Sequence, residues 1–168
     1  GLFIVETFIE NKKNLTDIFS ISGEYIQISY LGKGDSQLVS SKEKTPLGMG
    51  RINCCYNCDT VNTIEMPANK PTHYQAVYLS KEYYLELLKN EVWVTDNSFY
   101  NHIIKGNFQK WGACNFPIDY SLYHILNEIT KNDWNTDFKK YYLELRLKEL
   151  FLSLHFCQEE SCKGVVKG

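Results

Sequence analysis

Apolar and polar residues alternate along the first half of the chain and change to a helical period in the second. EYIQISYL puts Ile26, Ile28 and Tyr30 on one face, and MGRINCCY puts Ile52, Cys54 and Tyr56 together. TVNTIEMP pairs Ile64 with Met66, and THYQAVYL offers Tyr74, Ala76 and Tyr78. SQLVSS is a further short run, with LGKGDS as a turn before it and SKEKTPLG as a polar connection after it. LFIVETFIE at the N-terminus reads as one more strand. Short strands at this spacing, with no helical period between them, predict an antiparallel barrel or sandwich.

After Leu79 the period lengthens. Ser80 is placed to cap a helix KEYYLELLKN, with Leu79 and Tyr84 as a hydrophobic staple across the cap. The polar and aromatic connection over residues 91–114 predicts another short helix and turn. Pro117 opens a helix in which Ile118, Leu122, Ile125 and Ile129 repeat at helical spacing, and residues 132–135 break it. The last helix covers residues 136–157. Leu143, Leu147, Leu150 and Leu154 form one apolar stripe on it, and Phe138, Leu145, Leu152 and Phe156 form a second on another face. A helix apolar on two sides needs two partners: the core of its own domain, and either more of that core or a second copy of the chain. Lys140, Glu144 and Lys148 mark the face expected to meet water. Strands first and helices afterwards predict an α+β fold, an antiparallel barrel or sandwich followed by an α-helical hairpin.

A chain of 168 residues is one domain's worth, here residues 1–160, with strands over about 2–79, helices over about 80–157 and residues 161–168 as the start of a linker. Lys and Arg total 18 against 20 Asp and Glu, so no overall field draws the chain to phosphate. No apolar run approaches the about 18 residues of a membrane-spanning helix, which with the absence of a signal-peptide pattern makes a cytoplasmic location the expectation.

Cys55 and Cys58 make a C-x-x-C directly after Cys54, and Cys157 with Cys162 offers a distant second pair for a thiolate zinc site. The second spacing is wider than a zinc knuckle and Cys114 stands alone, so buried reduced thiols are the expectation, with no metal. None of His73, His102, His124 and His155 forms the H-x-H that metal-bearing barrel enzymes use, and His73 is the sole candidate on a strand. Neither a nucleophile elbow nor a phosphate-cradling loop occurs, so neither an enzyme nor a cofactor is expected. A small metal-dependent barrel enzyme and a ligand-free interaction domain stay as alternatives. Against the latter stand 12 tyrosines, of which Tyr30, Tyr56, Tyr74 and Tyr78 share a predicted interior parity with Cys54 and Met66. These six are the candidate lining of a small-molecule pocket, because an apolar cavity edged by phenol hydroxyls suits such a ligand, and a one-residue register error would turn the set outward.

Over residues 60–158 the chain resembles the N-terminal sensor domain of AraC-type transcriptional regulators. The likeness lies in VYLSKEYYLELL, FPIDYSLYHILNEI and YYLELRLKELFLSL, taken in that order. In the last, Tyr142, Leu143, Glu144, Glu149, Leu150 and Leu154 match the family's pattern, with Arg146 at the usual Lys position. The resemblance implies a cupin-like barrel that holds a small-molecule effector and a homodimer formed through the C-terminal helices, for which Phe138, Leu145, Leu152 and Phe156 are the candidates. It also implies DNA binding through a following helix-turn-helix module, of which this sequence contains no counterpart. The chain itself is expected to sense and dimerise, and not to read DNA.

Overall fold

Two strands, each long enough to count as two, organise the sheet. In the computed structural model, which describes residues 1–34, 36–40, 43–47, 49–108, 116–131, 133 and 135–165, β2 runs Leu15–Lys33 and β5 runs Arg51–Met66. They pair antiparallel from Leu15 opposite Met66 to Tyr30 opposite Ile52, with a register shift between Ile21 and Glu24. Gly23 (φ 80°) and Asp59 (φ 46°) take left-handed backbone at the shift, and the Gly23 N–H donates to Asp59 Oδ1 at 2.8 Å. Glycine adopts that conformation without steric cost, and a bulge there bends the strand pair. EYIQISYL is therefore the second half of one strand, and MGRINCCY and TVNTIEMP are two halves of another, joined through a bulge that alternation alone does not reveal.

The other strands are β1 (Leu2–Ile9), β3 (Ser36–Ser40), β4 (Glu43–Leu47), β6 (Thr72–Ser80) and the two-residue β7 (Phe116–Pro117). Their order is β1-β6-β2-β5-β3-β4, with β7 beside β5, and every strand pair is antiparallel. The stretch expected as a polar connection after SQLVSS is β4, paired with β3 as a hairpin.

Four α-helices follow among the described residues: α1 (Lys81–Leu88), α2 (Ser98–Ile104), α3 (Tyr120–Lys131) and α4 (Asp137–Val165), with a 3-10 turn at Val92–Asp96. Each α-helix starts on a side-chain cap. Ser80 Oγ accepts from the Tyr83 N–H, Asn97 Oδ1 from Tyr100, Asp119 Oδ1 from Leu122 and Thr136 Oγ1 from Lys139. Pro117 thus does not open α3: it pairs with Arg51 in β7, the Ile118 N–H donates to the Gly50 carbonyl, and the helix begins only after Asp119. The last helix runs beyond residue 157 to Val165. The fold is α+β, as the alternation and its change of period predict.

One face of the sheet carries the helices. Ile26, Ile28, Tyr30, Ile52, Cys54, Tyr56, Val77 and Leu79 pack there with Tyr84, Phe99, Leu126 and the α4 residues Leu143, Leu147, Leu150, Phe151 and Leu154. Gln75, fully buried, ties the layers together, its Nε2 lying 3.1 Å from Glu6 Oε1, 3.1 Å from Asn127 Oδ1 and 2.7 Å from Thr130 Oγ1. Glu24, next to the bend, accepts from Lys81 Nζ at 3.1 Å on both oxygens and from the Tyr56 hydroxyl. The face of α4 expected to meet water is partly engaged as well: Glu144 accepts from the Tyr83 hydroxyl at 3.4 Å, and Lys148 pairs with Glu91 at 2.9 Å. In the α3–α4 hairpin, Arg146 pairs with Glu128 at 3.3 Å.

The two stripes of α4 differ in burial. Leu147 has no exposure, whereas Leu145 is 46% exposed. Leu147→Ala is expected to cost about 2–5 kcal/mol by urea denaturation, and Leu145→Ala less than about 1 kcal/mol. Equal losses would place both stripes in the core.

Candidate functional site

The face of the sheet turned away from the helices is concave. The bend at Gly23 carries the first half of β2 toward β1, which among the described strands pairs with β6 alone, and a cavity of about 550 Å³ lies between these walls. Alternate residues of β1 line one side: Phe3, Val5, Thr7 and Ile9. β2 supplies Asp17, Phe19 and Ile21 together with Ser20 and Ser22, β5 supplies Ile64 and Met66, and β6 supplies Tyr74 and Tyr78. The volume is within the range of pockets that enclose a small organic ligand.

Tyr78 is the centre of the lining. Its ring centroid lies 6.1 Å from that of Phe3, and 6.2 Å from those of Phe19 and Tyr25, with Phe19 edge-on at 74°. Its hydroxyl lies 3.3 Å from that of Tyr74, and both side chains are buried. A second polar group lies beside them, where the Tyr25 hydroxyl shares a hydrogen bond with Thr60 Oγ1, and Asn62 Nδ2 donates to Thr60 Oγ1 at 2.7 Å. Burial pushes the Tyr74 phenol up to about 12, and burial with the neighbouring Tyr74 raises that of Tyr78 further. Both phenols are therefore neutral hydrogen-bonding groups at ordinary pH.

Of the six residues expected to line a pocket, Met66, Tyr74 and Tyr78 meet here. Tyr30, Cys54 and Tyr56 do not: they lie on the opposite face, against the helices. Tyr30 packs edge-on to Tyr123 at 5.9 Å, Tyr56 donates to Glu24, and burial raises the Cys54 thiol. The cause is the bend. Along β5 the buried positions stay even-numbered throughout, yet the inward face passes from Asn57, opposite Tyr25, to Thr60, opposite Ile21. Across left-handed Asp59, Cys54 and Met66 keep one parity and occupy different faces.

The walls from β1 and the first half of β2 were not singled out by the sequence. The signal was present, because Phe3, Val5, Thr7 and Ile9 alternate strictly in LFIVETFIE, as do Leu15, Phe19 and Ile21 around Asp17. Cys55, opposite Gln27, is half-buried and accepts from Asn57 Nδ2 at 3.2 Å. His73 hydrogen-bonds Glu6 at 2.9 Å, beside Gln75 on the helix side, so it does not face the cavity. Cys114 lies outside the described residues, as does the side chain of Cys162. Among the described residues no three His, Cys, Asp or Glu side chains converge as metal ligands. On α4, Phe138 is 80% exposed and Phe156 54%, while Leu152 is half-buried. Exposed Tyr141 extends this patch.

No family model matches the chain, nor does any curated protein sequence. Solved structures do. Apo ToxT from Vibrio cholerae superposes with a TM-score of 0.61 at 12% identity, covering 93% of this chain and 57% of that one. The fold is shared with that AraC-family regulator. Unsaturated fatty acid-bound ToxT from Vibrio cholerae gives a TM-score of 0.49 at 13% identity, over 90% of this chain and 56% of that one. A predicted oxalate decarboxylase from Thermotoga maritima gives 0.37 at 17% identity, over 46% of this chain and 64% of that one. The arrangement of an antiparallel sheet followed by helices is thus shared with ToxT, and the chain spans a little over half the length of that protein. No described helix is long and apolar enough to cross a membrane.

The buried phenols have a consequence for alkaline stability. Tyr74 is raised on folding above its ordinary value of 10.0, so its contribution is complete below pH 10 and is lost as pH rises toward about 12, where the unfolded chain ionises first. Melting temperature is expected to fall less across this window in Tyr74→Phe than in the unsubstituted protein. Parallel curves for the two would show that the phenol is not buried in its neutral form.

Proposed function

We propose that this chain is the effector-sensing and dimerisation domain of an AraC-type transcriptional regulator. The effector is a small molecule held between β1, β6 and the first half of β2, and the domain acts on DNA through a helix-turn-helix module outside this sequence. The cavity around Tyr78 carries the reading: it is an apolar space of about 550 Å³ with a buried hydroxyl pair, on the free face of a sheet whose fold is that of a known regulator. Fold likeness alone would not carry function.

The second half of the proposal is the dimer. Phe138, Leu145, Leu152 and Phe156 form the contact between two copies of α4, and their exposure, with that of Tyr141 beside them, supports this use of the stripe. Effector binding would then change how two copies, and the DNA-binding modules joined to them, are spaced. The domain works in the cytoplasm and performs no chemistry of its own.

Native mass spectrometry of the purified chain tests both halves. A dimer is expected, carrying an organic mass that denaturation releases, and Leu145→Glu with Leu152→Glu should leave a folded monomer. A double variant that stays dimeric would remove the stripe as the interface. A stoichiometric metal in place of an organic molecule would overturn the sensor reading.

A further inference from the structure

The cavity's polar groups differ in kind from its walls, and their chemistry restricts the ligand. Tyr74 and Tyr78 carry two hydroxyl hydrogens and share one mutual hydrogen bond, so one hydrogen is left for another acceptor. Gln27, directly opposite Tyr78 in the sheet and 1% exposed, lies behind the lining with Ser29, beside the Tyr74 hydroxyl. The hydroxyl pair is thus the neutral hydrogen-bonding group that the buried part of the lining presents to the cavity. The charge on the lining has the opposite sense from what an anion requires: among the described lining residues the charged side chain is Asp17, exposed at the rim.

Resting on the proposed sensor function, we infer that the effector is an uncharged amphipathic molecule, with an apolar ring-bearing body set against Phe3, Phe19 and Tyr78 and a carbonyl or hydroxyl oxygen accepting from the Tyr74–Tyr78 pair. Rings at about 6 Å on three sides of Tyr78 leave aromatic edges and faces for a planar body. A carboxylate at the same place loses its hydration, gains one neutral donor in return, and lies in a cavity whose rim is already negative. The burial that keeps Tyr74 from ionising acts on a bound acid in the same direction.

Three probes with one body separate these terms: naphthalene, acetylnaphthalene and naphthoate, titrated into the full chain at pH 7 by calorimetry. Acetylnaphthalene is expected to bind at least about tenfold more tightly than naphthoate, and the double variant Tyr74→Phe with Tyr78→Phe, which removes both donors of the pair, to bring its affinity down to that of naphthalene. Asp17→Asn, at an exposed position, keeps the question open to measurement if the double variant does not fold; it should narrow the gap by improving naphthoate alone. Naphthoate binding as tightly as acetylnaphthalene overturns the inference and leaves the sensor reading intact. Acetylnaphthalene unaffected by the double variant, or a gap unchanged in Asp17→Asn, also overturns it. Binding of none of the three overturns the ligand cavity itself, and the sensor reading with it.

Discussion

The bend at Gly23 and Asp59 is the constraint on which the rest of the structure depends. A 19-residue strand paired with a 16-residue one would otherwise make a long twisted ribbon with one face toward the helices along its whole length. Two left-handed residues, joined by the Gly23 N–H to Asp59 Oδ1 bond, turn over the half of that ribbon formed by residues 15–21 and 60–66. Residues 15–21 then face β1 across a cavity, while residues 26–30 remain under the helices. A side chain at Gly23 would meet open space yet still be strained at φ 80°, so the demand there is conformational and not steric crowding.

Three consecutive residues at this bend touch the three parts of the domain. Gly23 makes the turn, Glu24 binds Lys81 at the start of α1 and the Tyr56 hydroxyl, and Tyr25 packs beside Tyr78 over the cavity floor. Lys81 also lies over the Tyr56 ring, 5.7 Å from its centroid. Hydrogen bonds from Tyr56 and Lys81 hold the Glu24 carboxyl below its usual value, so the pairing persists through the neutral range. From α1 the chain of contacts continues through Tyr83 to Glu144 on α4. A change in the width of the cavity therefore has a short mechanical route to the helix that carries the exposed apolar stripe, which is the kind of contiguous packing that coupling between sites requires.

The elements were largely legible and the faces were not. Strand alternation, the Ser80 cap and the leucine stripe of α4 each rest on a local period, and each appears in the structure where its residues placed it. The candidate pocket divided into halves because parity is a global quantity along a strand. One residue at positive φ exchanges the faces beyond it, and Asp59, with no glycine beside it on β5, does not announce itself. β4 was missed for a related reason: Glu43, Lys44 and Thr45 are polar and Pro46 interrupts the run, which suits an edge strand as well as a loop.

What the cavity selects must come from its side chains and not from its architecture. At 12% identity the likeness to ToxT conveys how the strands and helices are arranged, and nothing about which groups meet a ligand. The side chains here have their own logic. An apolar wall contributes affinity without direction, because burial of hydrocarbon is proportional to area and indifferent to orientation. Direction comes from the few polar atoms set into it, the Tyr74 and Tyr78 hydroxyls above all, since these are buried, close together and unable to satisfy each other completely. Such a pair discriminates against a ligand that lacks an acceptor by leaving its own hydrogen unpaired, and against a charged one by offering too little to replace water. In the proposed sensor, specificity therefore rests on two neutral hydroxyls on one strand, four residues apart and on the same face.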